Sequence, residues 1–94
     1  MKAYNNRGLA YQALKKYREA EEDYLKVLKL LPNDPLCLFN LAQCFLETGE
    51  KEKAREYFRK GVNSFEKETE KTLKEKFDLS DGNLNFIKQT IKDF

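Results

Sequence analysis

Apolar residues along residues 1–65 recur at the three- and four-residue intervals of a helix face, and proline and glycine break the pattern at few places. Tyr4, Tyr11 and Leu14 fall on one stripe, and Leu38, Leu41 and Phe45 on another with Phe39 at its edge. Gly8, Ala20, Ala42 and Ala54 are small positions where helix axes can approach closely. The pattern predicts two helical hairpins. Gly49 supplies a left-handed end to the first helix of the second hairpin. Lys15 stands at the corresponding place in the first, at a cost of about 1 kcal/mol if the turn is the same. Between the hairpins, Leu31-Pro32-Asn33-Asp34-Pro35 carries a stop, an N-cap in Asp34 and a first-turn proline.

A shift of 34 residues aligns Asn6 with Asn40, Ala20 with Ala54, Glu22 with Glu56 and Lys26 with Lys60. Large residues also pair with large ones and small with small, as in Tyr11 with Phe45, Tyr24 with Phe58 and Gly8 with Ala42. Such agreement without an insertion marks a helical repeat. Residues 66–94 are not a third copy. Phe58, Val62, Phe65, Leu73 and Phe77, with Thr69 in the gap, prolong a stripe and predict one long helix, straight or kinked, over 52 to about 78. Asp81-Gly82-Asn83 is then read as a turn, and Leu84, Ile87, Ile91 and Phe94 as one face of a short final helix that caps the open end of copy two.

These residues resemble the tetratricopeptide repeat family. Tyr4, Gly8, Tyr11, Ala20, Tyr24, Val27 and Pro32 fall on its large, small and terminating positions, and Leu38, Leu41, Ala42, Phe45, Ala54, Phe58 and Gly61 repeat them. Arg7 replaces the usual leucine, Lys15 the turn glycine and Glu66 the terminating proline. The resemblance implies an all-α fold, a right-handed superhelical stack of antiparallel hairpins with a C-terminal capping helix. The 94 residues then form a single domain: repeat one at 1–34, repeat two at 35–66 (to 68 at its fullest extent), and an extended helix plus final helix over 67–94.

The resemblance also places the first helix of each hairpin along a concave groove that binds peptide segments. Helix geometry turns Lys2, Asn5, Asn6, Leu9 and Gln12 of copy one, and Leu36, Phe39, Asn40, Gln43, Leu46 and Glu47 of copy two, away from the stripe packed inside each hairpin. Asn6 and Asn40 stand out because they recur at the repeat period, and an amide offers a donor and an acceptor to a passing backbone. Leu9, Leu36, Phe39 and Leu46 make this side apolar, either to receive a partner or to be covered by the C-terminal helix. A carboxylate clamp like that of chaperone-binding relatives lacks its charged partners, since Asn5 and Leu9 stand where its first half wants lysine and asparagine, and Leu36 and Asn40 where its second half wants lysine and arginine.

Composition narrows the functions further. The chain has no histidine and two cysteines, which leaves no imidazole base and no four-thiolate zinc site. Cys37 and Cys44 lie about 10 Å apart along one helix and read as buried structural thiols. The charged run Glu66–Lys76 reads as a solvated face with a Glu70–Lys74 pair, and Ser80 as turn chemistry. The net charge is +2, with twelve Lys and Arg against nine Asp and Glu in residues 1–65, too little for phosphate-backbone binding. No apolar run approaches the length of a membrane span, and no catalytic group assembles. The reading is a non-catalytic interaction module without cofactor or metal, intracellular and cytoplasmic, binding a peptide or helix of a partner protein, not nucleic acid or membrane. The alternative is a permanently assembled subunit or a fragment of a longer array. It draws on copy one beginning at Met1 with no polar capping helix before it, which predicts association through Tyr4, Arg7 and Tyr11.

Overall fold

The computed structural model describes the backbone of residues 2–93 and the side chains of 3–93, so Phe94 and the side chain of Lys2 lie outside the described residues. Among the described residues six helices follow one another: α1 (Lys2–Ala13), α2 (Tyr17–Leu30), α3 (Pro35–Glu47), α4 (Lys51–Lys67), α5 (Glu70–Phe77) and α6 (Asp81–Asp93). The α1–α2 and α3–α4 turns repeat each other bond for bond. Gln12 and Tyr11 carbonyls accept from the amides of Lys15 and Lys16, as Leu46 and Phe45 carbonyls accept from those of Gly49 and Glu50. Lys15 therefore takes a φ of 61° where Gly49 has 85°, carrying a Cβ in the left-handed region that glycine enters without penalty. Asp34 caps α3, its carboxylate accepting from the amides of Leu36 and Cys37 with Pro35 in the first turn.

The hairpins pack around a core of Ala20, Tyr24, Val27, Cys37, Leu41, Cys44, Phe45 and Ala54, against which Tyr4, Tyr11, Tyr17, Leu28 and Tyr57 are half-buried. Gly8 is required here. A Cβ on it would sit 2.6 Å from Cε1 of Tyr24, so the glycine is what lets α2 lay an aromatic ring on α1. Leu14 does not join the stripe with Tyr4 and Tyr11, because α1 has ended at Ala13 and the turn points it outward, 67% exposed. Arg7, the departure from the repeat pattern, makes two 2.8 Å bonds to the carboxylate of buried Asp23 and lies over the rings of Tyr4 and Tyr11. Its guanidinium holds the Asp23 carboxyl below the ordinary carboxylate range. The edge of Tyr4, Arg7 and Tyr11 is thus occupied by an internal ion pair.

The single helix expected over 52 to about 78 is two helices. Glu68 is extended, and the Thr69 hydroxyl accepts from the amide of Thr72 to start α5. Continuing α4 straight would carry Phe77 about 15 Å beyond Lys67 into solvent. The reversal instead buries Leu73, Phe77, Leu79, Leu84 and Ile87 with Leu36 and Phe39 of α3, and Phe58, Val62 and Phe65 of α4 pack alongside. Burying each such side chain contributes about 1.5–3 kcal/mol, more than the about 0.5–1.5 kcal/mol net of each helical hydrogen bond given up at the break. The turn expected at Asp81-Gly82-Asn83 lies earlier, with Asp78 left-handed at φ 55° and Ser80 starting α6. The Ser80 hydroxyl accepts from the Asn83 amide while the Asn83 side chain accepts from the Ser80 amide, a reciprocal cap. Glu70 pairs with Lys88 at 2.7 Å rather than with Lys74, and Lys74 pairs with Asp81, so both ion pairs join α5 to α6.

Candidate functional site

A cavity of about 490 Å³ opens on the side where α1 and α3 face the α5–α6 turn. The repeats line it with Asn5, Asn6, Leu9, Leu31, Leu36 and Asn40, and the C-terminal segment lines it from Glu75 to Leu79 and with Asn83 and Phe86. Helix spacing explains the first set. Asn5, Asn6 and Leu9 lie on one side of α1, and Leu36 and Asn40, four apart, on the matching side of α3.

Two amides in this wall are buried and incompletely satisfied. Asn5 is 7% exposed and its Nδ2 donates to the Asp34 carboxylate at 3.5 Å, which orients the amide and leaves Oδ1 without a partner. Asn40 is 4% exposed and its Nδ2 has no acceptor. One orphan is an acceptor and the other a donor, on facing helices of successive repeats. Burial raises the Asp34 carboxyl above its ordinary range, against the pull of the Cys37, Asn5 and Leu36 donors. Asn5 is thereby tied to the N-cap of α3.

The other residues expected along the groove have different places. Phe39 is 2% exposed, with its ring 5.3 Å from that of Phe58 and against Gly61, so it is a core residue beneath the C-terminal helices. Gln12, Gln43 and Glu47 belong to a network that binds the helices to one another. The Tyr24 hydroxyl donates to Gln12 Oε1 at 2.9 Å, and the amides of Gln12 and Gln43 donate to Glu47 Oε1 at 3.5 and 3.3 Å. A hydrogen bond from Tyr17 is the main reason the Glu47 carboxyl lies below its ordinary value. Leu46 is exposed but outside the cavity. Asn6, Leu9, Leu36 and Asn40 do line it, with Leu36 also covered by the C-terminal cluster. The walls from Phe77, Leu79 and Phe86 were missed. The available signal was Phe86, an aromatic off the Leu84–Ile87–Ile91 stripe of the final helix.

The two thiols are buried, Cys37 donating to the Tyr24 carbonyl at 3.2 Å and Cys44 to that of Tyr17 at 3.4 Å. Burial pushes Cys37 well above a thiol's usual range and Cys44 up to about 12, which keeps both protonated and inert. Among the described residues no cluster of His, Cys, Asp and Glu suits a metal ion, and no helix is long and apolar enough to cross a membrane.

Two hairpins with identical turns at a 34-residue period meet the comparison with known families. The family model of the tetratricopeptide repeat matches residues 1–67. The chain belongs to the tetratricopeptide repeat family. None of the curated proteins matches it. Tetratricopeptide repeats are generally non-catalytic modules that mediate protein–protein interactions. The matched span ends at Lys67, where α4 ends, so half of the cavity wall comes from outside the repeats.

Proposed function

We propose that this tetratricopeptide repeat chain binds a peptide segment of a partner protein on the concave side of α1 and α3, with Asn5, Asn6, Leu9, Leu36 and Asn40 as its contact residues and without cofactor, nucleic acid or membrane. The observation that carries the reading is the cavity of about 490 Å³ that exposed Asn6 and Leu9 of α1 line together with Leu36 and Asn40 of α3. Asn6 offers a passing backbone both a donor and an acceptor there, and Leu9, 43% exposed, offers an apolar contact. Two free, buried thiols fit an intracellular, cytoplasmic setting.

Selection of binders from a randomised peptide display library, followed by calorimetry on the selected peptides, tests the reading. Asn40→Ala and Asn6→Ala should each weaken binding by roughly three- to tenfold with the thermal midpoint nearly unchanged. Selected peptides that bind both variants as tightly as the parent refute it. Exposed Leu14, Leu25 and Leu30 on the first hairpin favour the second reading, a subunit of a permanent assembly. A concentration-independent monomer in light scattering counts against self-assembly through that face.

A further inference from the structure

Two positions of the first repeat break the pattern of the second. Arg7 stands where the second repeat has Leu41, and Asp23 where it has Tyr57. We infer that the outer edge of the first hairpin, with Arg7 at its centre, docks an amphipathic helix of a partner protein through a carboxylate on that helix's apolar face. Arg7 takes no part in the cavity between α1, α3 and the C-terminal turn, so this surface is separate from the concave side.

The guanidinium has donors left after its internal pair. Arg7 Nε and Nη2 each donate to the Asp23 carboxylate at 2.8 Å, and no other described group accepts from Arg7, so both Nη1 protons and the second Nη2 proton are free. They form the end-on fork that a second carboxylate takes in two parallel bonds. The Arg7 side chain is 51% exposed and that of Asp23 only 2%, which puts the bound carboxylate beneath and the free fork outside. The rings of Tyr4 and Tyr11, 5.5 and 5.9 Å from Arg7 Cζ, hold the guanidinium in place. An arginine fixed in this way gives up little freedom when a ligand arrives.

Charge sets the sign of the ligand. Lys26, half exposed, reaches the same Asp23 carboxylate at 3.9 Å and lies 5.3 Å from the centre of the Tyr4 ring. Among the described residues Asp23 is the one carboxylate that acts on Arg7, so two cations share one anion and one positive charge is left over at the edge, the complement of a single carboxylate. Shape sets the fold of the ligand. On α3 the equivalents of Arg7 and Tyr11, Leu41 and Phe45, are buried in one cluster with Ala20, Tyr24 and Val27 of α2, so this side of a first helix is a seat for another helix. A second copy fits it poorly. Its α4, the counterpart of α2, brings Lys51 and Arg55 where α2 has Tyr17 and Glu21, and its Phe58 and Val62 are already packed against the C-terminal helices.

A displayed library of single helices, randomised on the apolar face and selected against the full chain, tests the edge, with Arg7→Lys as the comparison. Lysine keeps the charge and a partner for Asp23 but has no fork. Helices selected at the edge should carry Asp or Glu on the apolar face, bind Arg7→Lys at least about fivefold more weakly, and lose about tenfold when that acid is changed to its amide. Lys26→Ala should weaken the same helices about two- to threefold and leave the melting midpoint nearly unchanged. Arg7→Leu combined with Asp23→Tyr, the pair that the second repeat uses, should stay folded and bind none of the acidic helices. Helices that depend on Arg7 but carry no acid, or no selected helix at all, overturn the inference. A dimer in sedimentation that the double variant abolishes also overturns it, because a second copy then fills the edge. A selection that yields only helices weakened by Asn6→Ala, and none by Arg7→Lys, overturns it while supporting binding on the concave side.

Discussion

Replacing Gly8 by alanine sets two effects of opposite sign against each other. In an exposed helix the change stabilises by about 0.8–1 kcal/mol, because glycine loses more backbone freedom on folding. Here the new Cβ would stand 2.6, 2.9 and 3.0 Å from Cε1, Cζ and Cδ1 of Tyr24. The ring has little room to yield, since Tyr24 is fully buried and its hydroxyl is bonded to Gln12. Relieving contacts this short means separating α1 from α2, and overpacking of this kind costs about 1–3 kcal/mol. A net loss of up to about 2 kcal/mol follows, or a thermal midpoint lower by up to about 16 °C for a chain of this size. Gly82→Ala is the control, because its Cβ would meet nothing closer than Ser80 Oγ at 3.6 Å, and it should raise the midpoint slightly. A second comparison isolates the contact. In a Tyr24→Leu background the shorter side chain removes the clash, and Gly8→Ala should turn from destabilising to neutral or favourable. Circular-dichroism melts of the four variants give the answer. A Gly8→Ala change that shifts the midpoint equally in the Tyr24 and Tyr24→Leu backgrounds would refute the packing of the first hairpin described above.

Lys15→Gly removes a Cβ from the left-handed turn and should stabilise the chain by about 1 kcal/mol in urea unfolding; no gain would mean that Lys15 is unstrained there. Stability should fall in acid. The Asp23 and Glu47 carboxyls lie below their unfolded values, so their contribution is present above the ordinary carboxylate range and is lost as pH falls through the depressed folded values. Asp34 acts in the opposite sense, its raised carboxyl relieving a cost as it protonates, so Asp34→Asn should steepen the acid loss and Arg7→Ala should flatten it, as read from urea midpoints between pH 7 and 3. Deleting residues 80–94 uncovers Leu36, Phe39 and Leu73, and should lower the melting midpoint and increase binding of a hydrophobic dye; an unchanged melt would mean that α6 does not stabilise the repeats.

The hairpins and their ends were legible in the residues because they depend on neighbours in the chain. Helical stripes, the Asp34 cap with Pro35, and the equivalence of Lys15 with Gly49 are set by spacings of one to four residues, and the 34-residue period supplied each reading twice. The cavity was legible in part. Asn6, Leu9, Leu36 and Asn40 follow from which side of a helix they occupy, but periodicity cannot say what lies opposite that side. Tertiary structure decided this by breaking the expected long helix at Glu68 and folding α5 and α6 back, which turned Phe39 into core and made Phe77, Leu79 and Phe86 into walls. The same local pattern of Phe58, Val62, Phe65, Leu73 and Phe77 suits one straight helix or two reversed ones. Only the second buries Leu73 and Phe77 against α3, and that long-range burial outweighs the local preference.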